Sequence, residues 1–189
     1  MHKHFSMTLG LAVALCAPAH GAPYTIDPTH TFVHFEVMHV GTSTSRGRFD
    51  KSRGTLSLDR EARTGAVDIT IDTHSVSTGV PALDNQLRGD KFFDTGKYPQ
   101  ARFVAHDFKF NADGPSEISG QFTMLGKTLP LTLKATRFNC YPNPFLKRES
   151  CGGDFEAEIE RSRWGLSTFA PDLVGERVRL LIQVEAFKQ

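Results

Sequence analysis

Residues 178–185 read VRLLIQVE. Val178, Leu180, Ile182 and Val184 fall on one phase, and Arg179, Leu181, Gln183 and Glu185 on the other. Successive side chains of a strand point to opposite faces, so this pattern gives one apolar face and one mostly polar face. The same period recurs upstream. Phe155, Ala157 and Ile159 alternate with Glu156, Glu158 and Glu160. Leu129, Leu131 and Leu133 alternate with Pro130, Thr132 and Lys134, and Val67, Ile69 and Ile71 with Asp68, Thr70 and Asp72.

Further strands are expected at 31–39, 47–59, 101–110 and 117–125. Turn signals separate them at 59–65, 111–115 and 125–127. Many short strands at such spacing predict an all-β chain, an antiparallel barrel or sandwich. Glu-rich polar faces, one helical segment and a long polar loop favour a soluble barrel over one whose outer face meets lipid.

One stretch breaks the alternation. Residues 82–103 read ALDNQLRGDKFFDTGKYPQARF. Residues 82–90 suit two helical turns, with Leu83 and Leu87 on one face and Asp84 and Arg88 at i,i+4 spacing. Gly89 ends the helix, and Phe92 and Phe93 follow. An apolar-faced helix between two barrel strands is expected across a barrel end.

The 189-residue chain opens on Lys3, a short apolar run and Ala17-Pro18-Ala19. That is the layout of a secretory signal peptide, here residues 1–22 with cleavage after Ala19 or Ala22. Leu15 before Cys16 is too large for a lipoprotein site. One domain over 23–189 is expected. The formal net charge is +1, and loss of Lys3 with the leader makes the mature chain neutral. No basic stripe points to nucleic acid. Cys140 and Cys151 remain, and an even pair in an exported chain reads as a disulfide closing the loop YPNPFLKRES. Metal ligation is the alternative, with no second Cys or His pair nearby.

The sequence carries no nucleophile elbow, Walker loop or metal-binding helix motif. His34 and Glu36 share a face, while His39 lies on the other and His30 outside the strand, so the histidines do not converge as metal ligands. Phenylalanine is abundant at 15 residues. Such residues either fill a core or line a barrel for an apolar ligand, since a barrel of about eight strands allows both.

The mature chain resembles the YceI-like family of polyisoprenoid-binding proteins. The resemblance is carried, in order, by YTIDPTHTFVHFEVMHVG, by RGRFD followed by GTLSLD, and by STG followed by LDNQLRGDKFFDTGKYPQARF. GQFTMLGKTLPLTL and ERSRWGL complete it. It implies an exported, lipocalin-like, extended antiparallel barrel with one or two short helices. It implies an apolar tunnel holding a polyprenyl phosphate or the tail of an isoprenoid quinone. It also implies carriers or stores rather than catalysts, and frequent homodimers. No catalytic residue, metal or catalytic cofactor is expected, and membrane contact is expected to be transient, for ligand exchange. On this chain the expected ligand site comprises His39, Phe49, Asp84, Leu87, Arg88, Phe92, Phe93 and Phe122 from the matching motifs, with Phe35, Val37, Phe103 and Trp164 beside them. Leu83, Gln86, Leu129 and Trp164 depart from the family pattern. Two other readings stand beside a carrier in the periplasm. One is an enzyme acting on an isoprenoid or lipid, with His39, Asp84 and Arg88 as first candidates. The other is an accessory partner of a membrane redox complex.

Overall fold

The computed structural model describes residues 21–189. The expected signal peptide falls, but for its last two residues, outside the described residues. Eleven strands are seen: β1 (Ala22–Ile26), β2 (Phe32–His39), β3 (Ser43–Phe49), β4 (Ser52–Asp59), β5 (Thr64–Asp72), β6 (Val76–Ser77), β7 (Gln100–Phe110), β8 (Pro115–Met124), β9 (Lys127–Asn143), β10 (Arg148–Glu160) and β11 (Val174–Lys188). One helix, α1 (Pro81–Arg88), and two single 3-10 turns, Thr73–Ser75 and Arg161–Trp164, complete them.

The strands form one antiparallel sheet whose ring β1-β4-β5-β7-β8-β9-β10-β11 closes where β1 pairs with β11. Toward the α1 end, β2, β3 and β6 continue the same wall, with β11 on β2, β2 on β3 and β3 on β6. β1 and β2 thus act as one strand broken at residues 27–31, and β3 and β4 as one broken at residues 50–51. The Thr73–Ser75 turn breaks β5 from β6. The expected strand 47–59 is therefore two strands, and the first begins earlier, at Ser43. Side chains satisfy the backbone where the ladder lapses. The Thr31 hydroxyl donates to the Glu185 carbonyl and accepts from its N–H, both at 3.2 Å.

Alternation places the side chains as the period requires. Phe155, Ile159 and Leu180 are buried in the main core cluster, with Ala157, Val178 and Ile182 packed against it. Outside, Arg179 pairs with Glu156 at 2.8 Å and Arg177 lies 3.6 Å from Glu158. An apolar inside and a charged outside is the reverse of a lipid-facing barrel wall. No described helix is long and apolar enough to cross a membrane.

The segment 140–151 is not the open loop expected from its prolines. β9 and β10 run to Asn143 and from Arg148, leaving a four-residue turn. Asn143 Oδ1 caps that turn by accepting from the N–H groups of Phe145 and Leu146, at 3.0 and 3.1 Å. Cys140 and Cys151 stand directly opposite each other, with Cα atoms 4.0 Å apart, and are joined as a disulfide.

Helix α1 begins with Pro81 in its first turn, where the missing N–H costs nothing, and is capped at Gly89. The expected Asp84–Arg88 pair does not form an ion pair. Asp84 instead accepts from the Thr78 N–H at 2.7 Å and the Thr78 hydroxyl at 2.6 Å. Arg88 donates to the carbonyls of His74 and Val76, at 2.9 and 2.8 Å, and to Asn85 Oδ1 at 3.1 Å. Backbone groups brought close by the fold outcompete a weak neighbour on the helix surface.

Candidate functional site

Inside the barrel at the α1 end lies a cavity of about 140 Å³, measured for the centre of a water-sized sphere. Its walls come from β2, β3, β5, β7, β8, β9, β10 and β11, and the segment after α1 supplies Phe92 and Phe93. Phe35, Phe49 and Phe93 pack edge to face or tilted, with centroids 5.2–6.4 Å apart. Gly47 makes room for this trio, since a Cβ there would come within 2.4 Å of the Phe35 ring.

Eight of the twelve residues expected in a ligand site line this cavity: Phe35, Val37, Phe49, Leu87, Phe92, Phe93, Phe103 and Phe122. The other four do not. Trp164 is 1% exposed and stands behind the wall, its ring 5.7 Å from Phe122 and its Nε1–H donating to the Phe122 carbonyl at 3.1 Å. Asp84 and Arg88 fasten α1 from outside so that Leu87 faces in. The two hydrogen bonds from Thr78 hold the Asp84 carboxyl below its ordinary value of 3.8, against the opposing effect of its burial. His39 is exposed at the far end of β2, opposite Ser43 and Val174. His39, Asp84 and Arg88 thus do not converge on the cavity.

Several lining residues were not singled out from sequence, among them Val33, Ile71, Met124, Leu166 and Val174. For those on strands the signal was present. Ile71 shares the phase of Val67 and Ile69, so carrying one inward phase along each strand finds it. Val174 opens β11 in the phase of Val178, but a register shift separates the two, and Leu166 lies in a loop, where no phase applies.

Arg161 and Thr73 are the cavity's polar lining residues, and almost no polar surface reaches its space. Arg161 is 4% exposed. Its guanidinium turns into the loop that follows it and donates to the carbonyls of Gly175, Leu166, Thr168 and Val174, at 2.7–3.0 Å. Burial pulls its pKa down, partly offset by Glu176. This arginine thus ties the loop 166–174 over the barrel end while showing the cavity its stem.

A second cavity of about 60 Å³ fills the opposite half of the barrel. Ile69, Phe103, Leu133 and Ile182 line both. These four side chains form a neck within one apolar interior.

Among the described residues one cluster has potential metal-ligand spacing, Cys140, Glu149 and Cys151. Its two sulfurs are already bonded to each other, so they offer no thiolates.

The family model of the YceI-like domain matches residues 24–186. The chain belongs to the YceI-like family. A UPF0312 protein of Pseudomonas paraeruginosa is 31% identical over 189 residues, covering 97% of this chain and 96% of its own. Among solved structures, Burkholderia cenocepacia BcnA superposes with a TM-score of 0.67 at 21% identity, over 85% of this chain and 98% of that one. A domain from Saccharophagus degradans, described as polyisoprenoid-binding and implicated in plant cell wall breakdown, gives 0.63 at 16% identity, over 88% and 98%. The two structures establish the closed barrel as a shared fold. The Cys140–Cys151 bond suits an oxidising compartment.

Proposed function

We propose that this YceI-like protein is an exported carrier or store for a long apolar chain of isoprenoid type, held in the barrel interior. The observation that carries the reading is the apolar lining. Phenylalanine and aliphatic side chains surround a cavity whose one charged lining residue, Arg161, spends its guanidinium on backbone carbonyls. Such a site takes up an apolar chain through surface burial, at about 25 cal/mol per Å². It offers little to a head group, which then lies at the mouth. The polyisoprenoid-binding relative makes an isoprenoid the first chain to test. The disulfide and the leader-like N-terminal sequence support export to the periplasm.

Native mass spectrometry of the protein purified from cells tests this directly. The expected result is a co-purified lipid whose mass fits an isoprenoid chain. A ligand-free protein that also takes up neither a polyprenyl phosphate nor a ubiquinone in a fluorescence competition assay overturns it.

A further inference from the structure

Four apolar side chains at the end of β2 and in the segment leading into β11 face water. Met38, Val40, Phe169 and Leu173 are 46%, 47%, 49% and 50% exposed. Backbone contacts tie them together. The Val40 N–H donates to the Leu173 carbonyl at 2.9 Å, and the Leu173 and Val174 N–H groups donate to the Phe169 carbonyl at 3.1 and 2.9 Å. Met38 abuts Gly175, where an added Cβ would lie 3.2 Å from the Met38 Cβ. On its inner side the patch meets the cavity wall. The Phe169 ring lies 6.3 Å from that of Phe92, which lines the cavity, as does Val174.

The backbone at two of these positions is a second, separate observation. Val40 has φ 49° and Phe169 φ 61°. Left-handed backbone is unfavourable for β-branched and bulky residues, and water-facing turns there ordinarily use Asn or Gly. Here strained positions display large apolar groups to solvent, a combination associated with function.

We infer that this patch docks on the surface of a lipid bilayer and sets the cavity mouth at the acyl boundary. An apolar chain then passes between bilayer and barrel without crossing water. The inference rests on the carrier reading. Continuity argues for a bilayer, because the patch runs into a cavity lined by the same kind of side chain. Size argues against a second copy. Four side chains fall short of the roughly 800 Å² per partner of a stable protein interface, but suit a shallow, reversible seat in a bilayer interface.

The test is flotation of the full chain with vesicles of phosphatidylethanolamine and phosphatidylglycerol. Wild type is compared with a Val40→Asn, Phe169→Asn double variant and with Phe145→Ser, which removes a 91% exposed side chain from the β9–β10 hairpin tip. Asn accepts left-handed backbone, so the double variant should keep or raise its thermal midpoint. Leu173→Ser repeats the test should the double variant not fold. Vesicle binding is expected to fall about tenfold or more in the patch variants and to hold in Phe145→Ser. Equal binding by wild type and the patch variants overturns the inference. So does a wild type that does not bind vesicles, or a loss confined to Phe145→Ser. A dimeric wild type with monomeric patch variants and unchanged flotation also overturns it, in favour of a second copy. Patch-dependent flotation of a protein that never holds a chain in native mass spectrometry supports the docking and overturns the carrier reading alone.

Discussion

Arg161 is the residue on which the barrel end most depends. Its side chain satisfies four carbonyls of the segment 166–175, and no other charged side chain lines the cavity. Arg161→Met keeps the stem but leaves those carbonyls without a donor, which should cost about 3 kcal/mol in urea denaturation. Arg161→Lys should recover only part of that, because an ammonium lacks the planar fork. A loss under about 1 kcal/mol in the Met variant would show the clamp to be idle. The sequence marked Arg161 only as part of a matching motif, since carbonyls gathered by a distant loop leave no trace in local spacing. Trp164 shows the converse. An aromatic within that motif reads as ligand wall, yet the Phe122 carbonyl draws its ring behind the wall. A second residue-scale consequence is at Tyr24. The hydroxyl of this buried side chain donates to Glu149 Oε1 at 2.5 Å. Burial first, then that bond and the carboxylate charge, pushes its pKa from 10.0 up to about 12. A phenol whose pKa is raised by folding contributes stability fully present below pH 10.0, lost as pH climbs through about 12. Ultraviolet difference titration should therefore reveal a late tyrosine step that Tyr24→Phe abolishes. Persistence of that step in the variant would assign it elsewhere.

At the scale of elements, alternation was the legible signal and chain breaks were not. Strands β9, β10 and β11 follow their apolar phase, and α1 was foreseen within a residue at its start and two at its end. The break at residues 50–51 within the expected strand 47–59 escaped, as did strand β1, because the wall bends there; at 27–31 the bend is repaired by groups such as Thr31. The 140–151 hairpin escaped for a different reason. Its two prolines read as loop, but Pro142 pairs with Glu149 beside a turn capped by Asn143. Reduction of the disulfide tests what holds this ribbon. Releasing a closed loop spanning 11 residues of separation should lower stability by about 3 kcal/mol in the chain-entropy model. Cys151 also belongs to a buried cluster with Tyr24, Ile26, Leu58 and Ala186. The Cys140→Ser, Cys151→Ser variant should therefore lose amide protection first at the tip and last at Cys151, by hydrogen exchange. Uniform loss along the ribbon would mean that the bond, not the cluster, organises it.

For the whole molecule the question is how a long chain fits. The two cavities, about 140 and 60 Å³ for the centre of a water-sized sphere, are separated by Ile69, Phe103, Leu133 and Ile182. A chain confined to the α1 half must be short, and one that fills the barrel must part this neck. Phe103 is the side chain to move, being the largest of the four and 6% exposed. The barrel wall itself is fixed by continuous pairing, including Phe103 opposite Phe122 and Ile69. Phe103→Ala removes the ring and joins the two spaces, at a stability cost of about 3–5 kcal/mol for a buried aromatic. Binding of a series of prenyl alcohols of rising length, followed by fluorescence competition, separates two outcomes. If the neck limits length, wild-type affinity should stop rising at a chain that fills the α1 half. In the variant it should go on rising by about a factor of ten per 1.4 kcal/mol of added burial. If both proteins level off at the same length, the neck already opens in the wild type, and the far cavity belongs to the site as it stands.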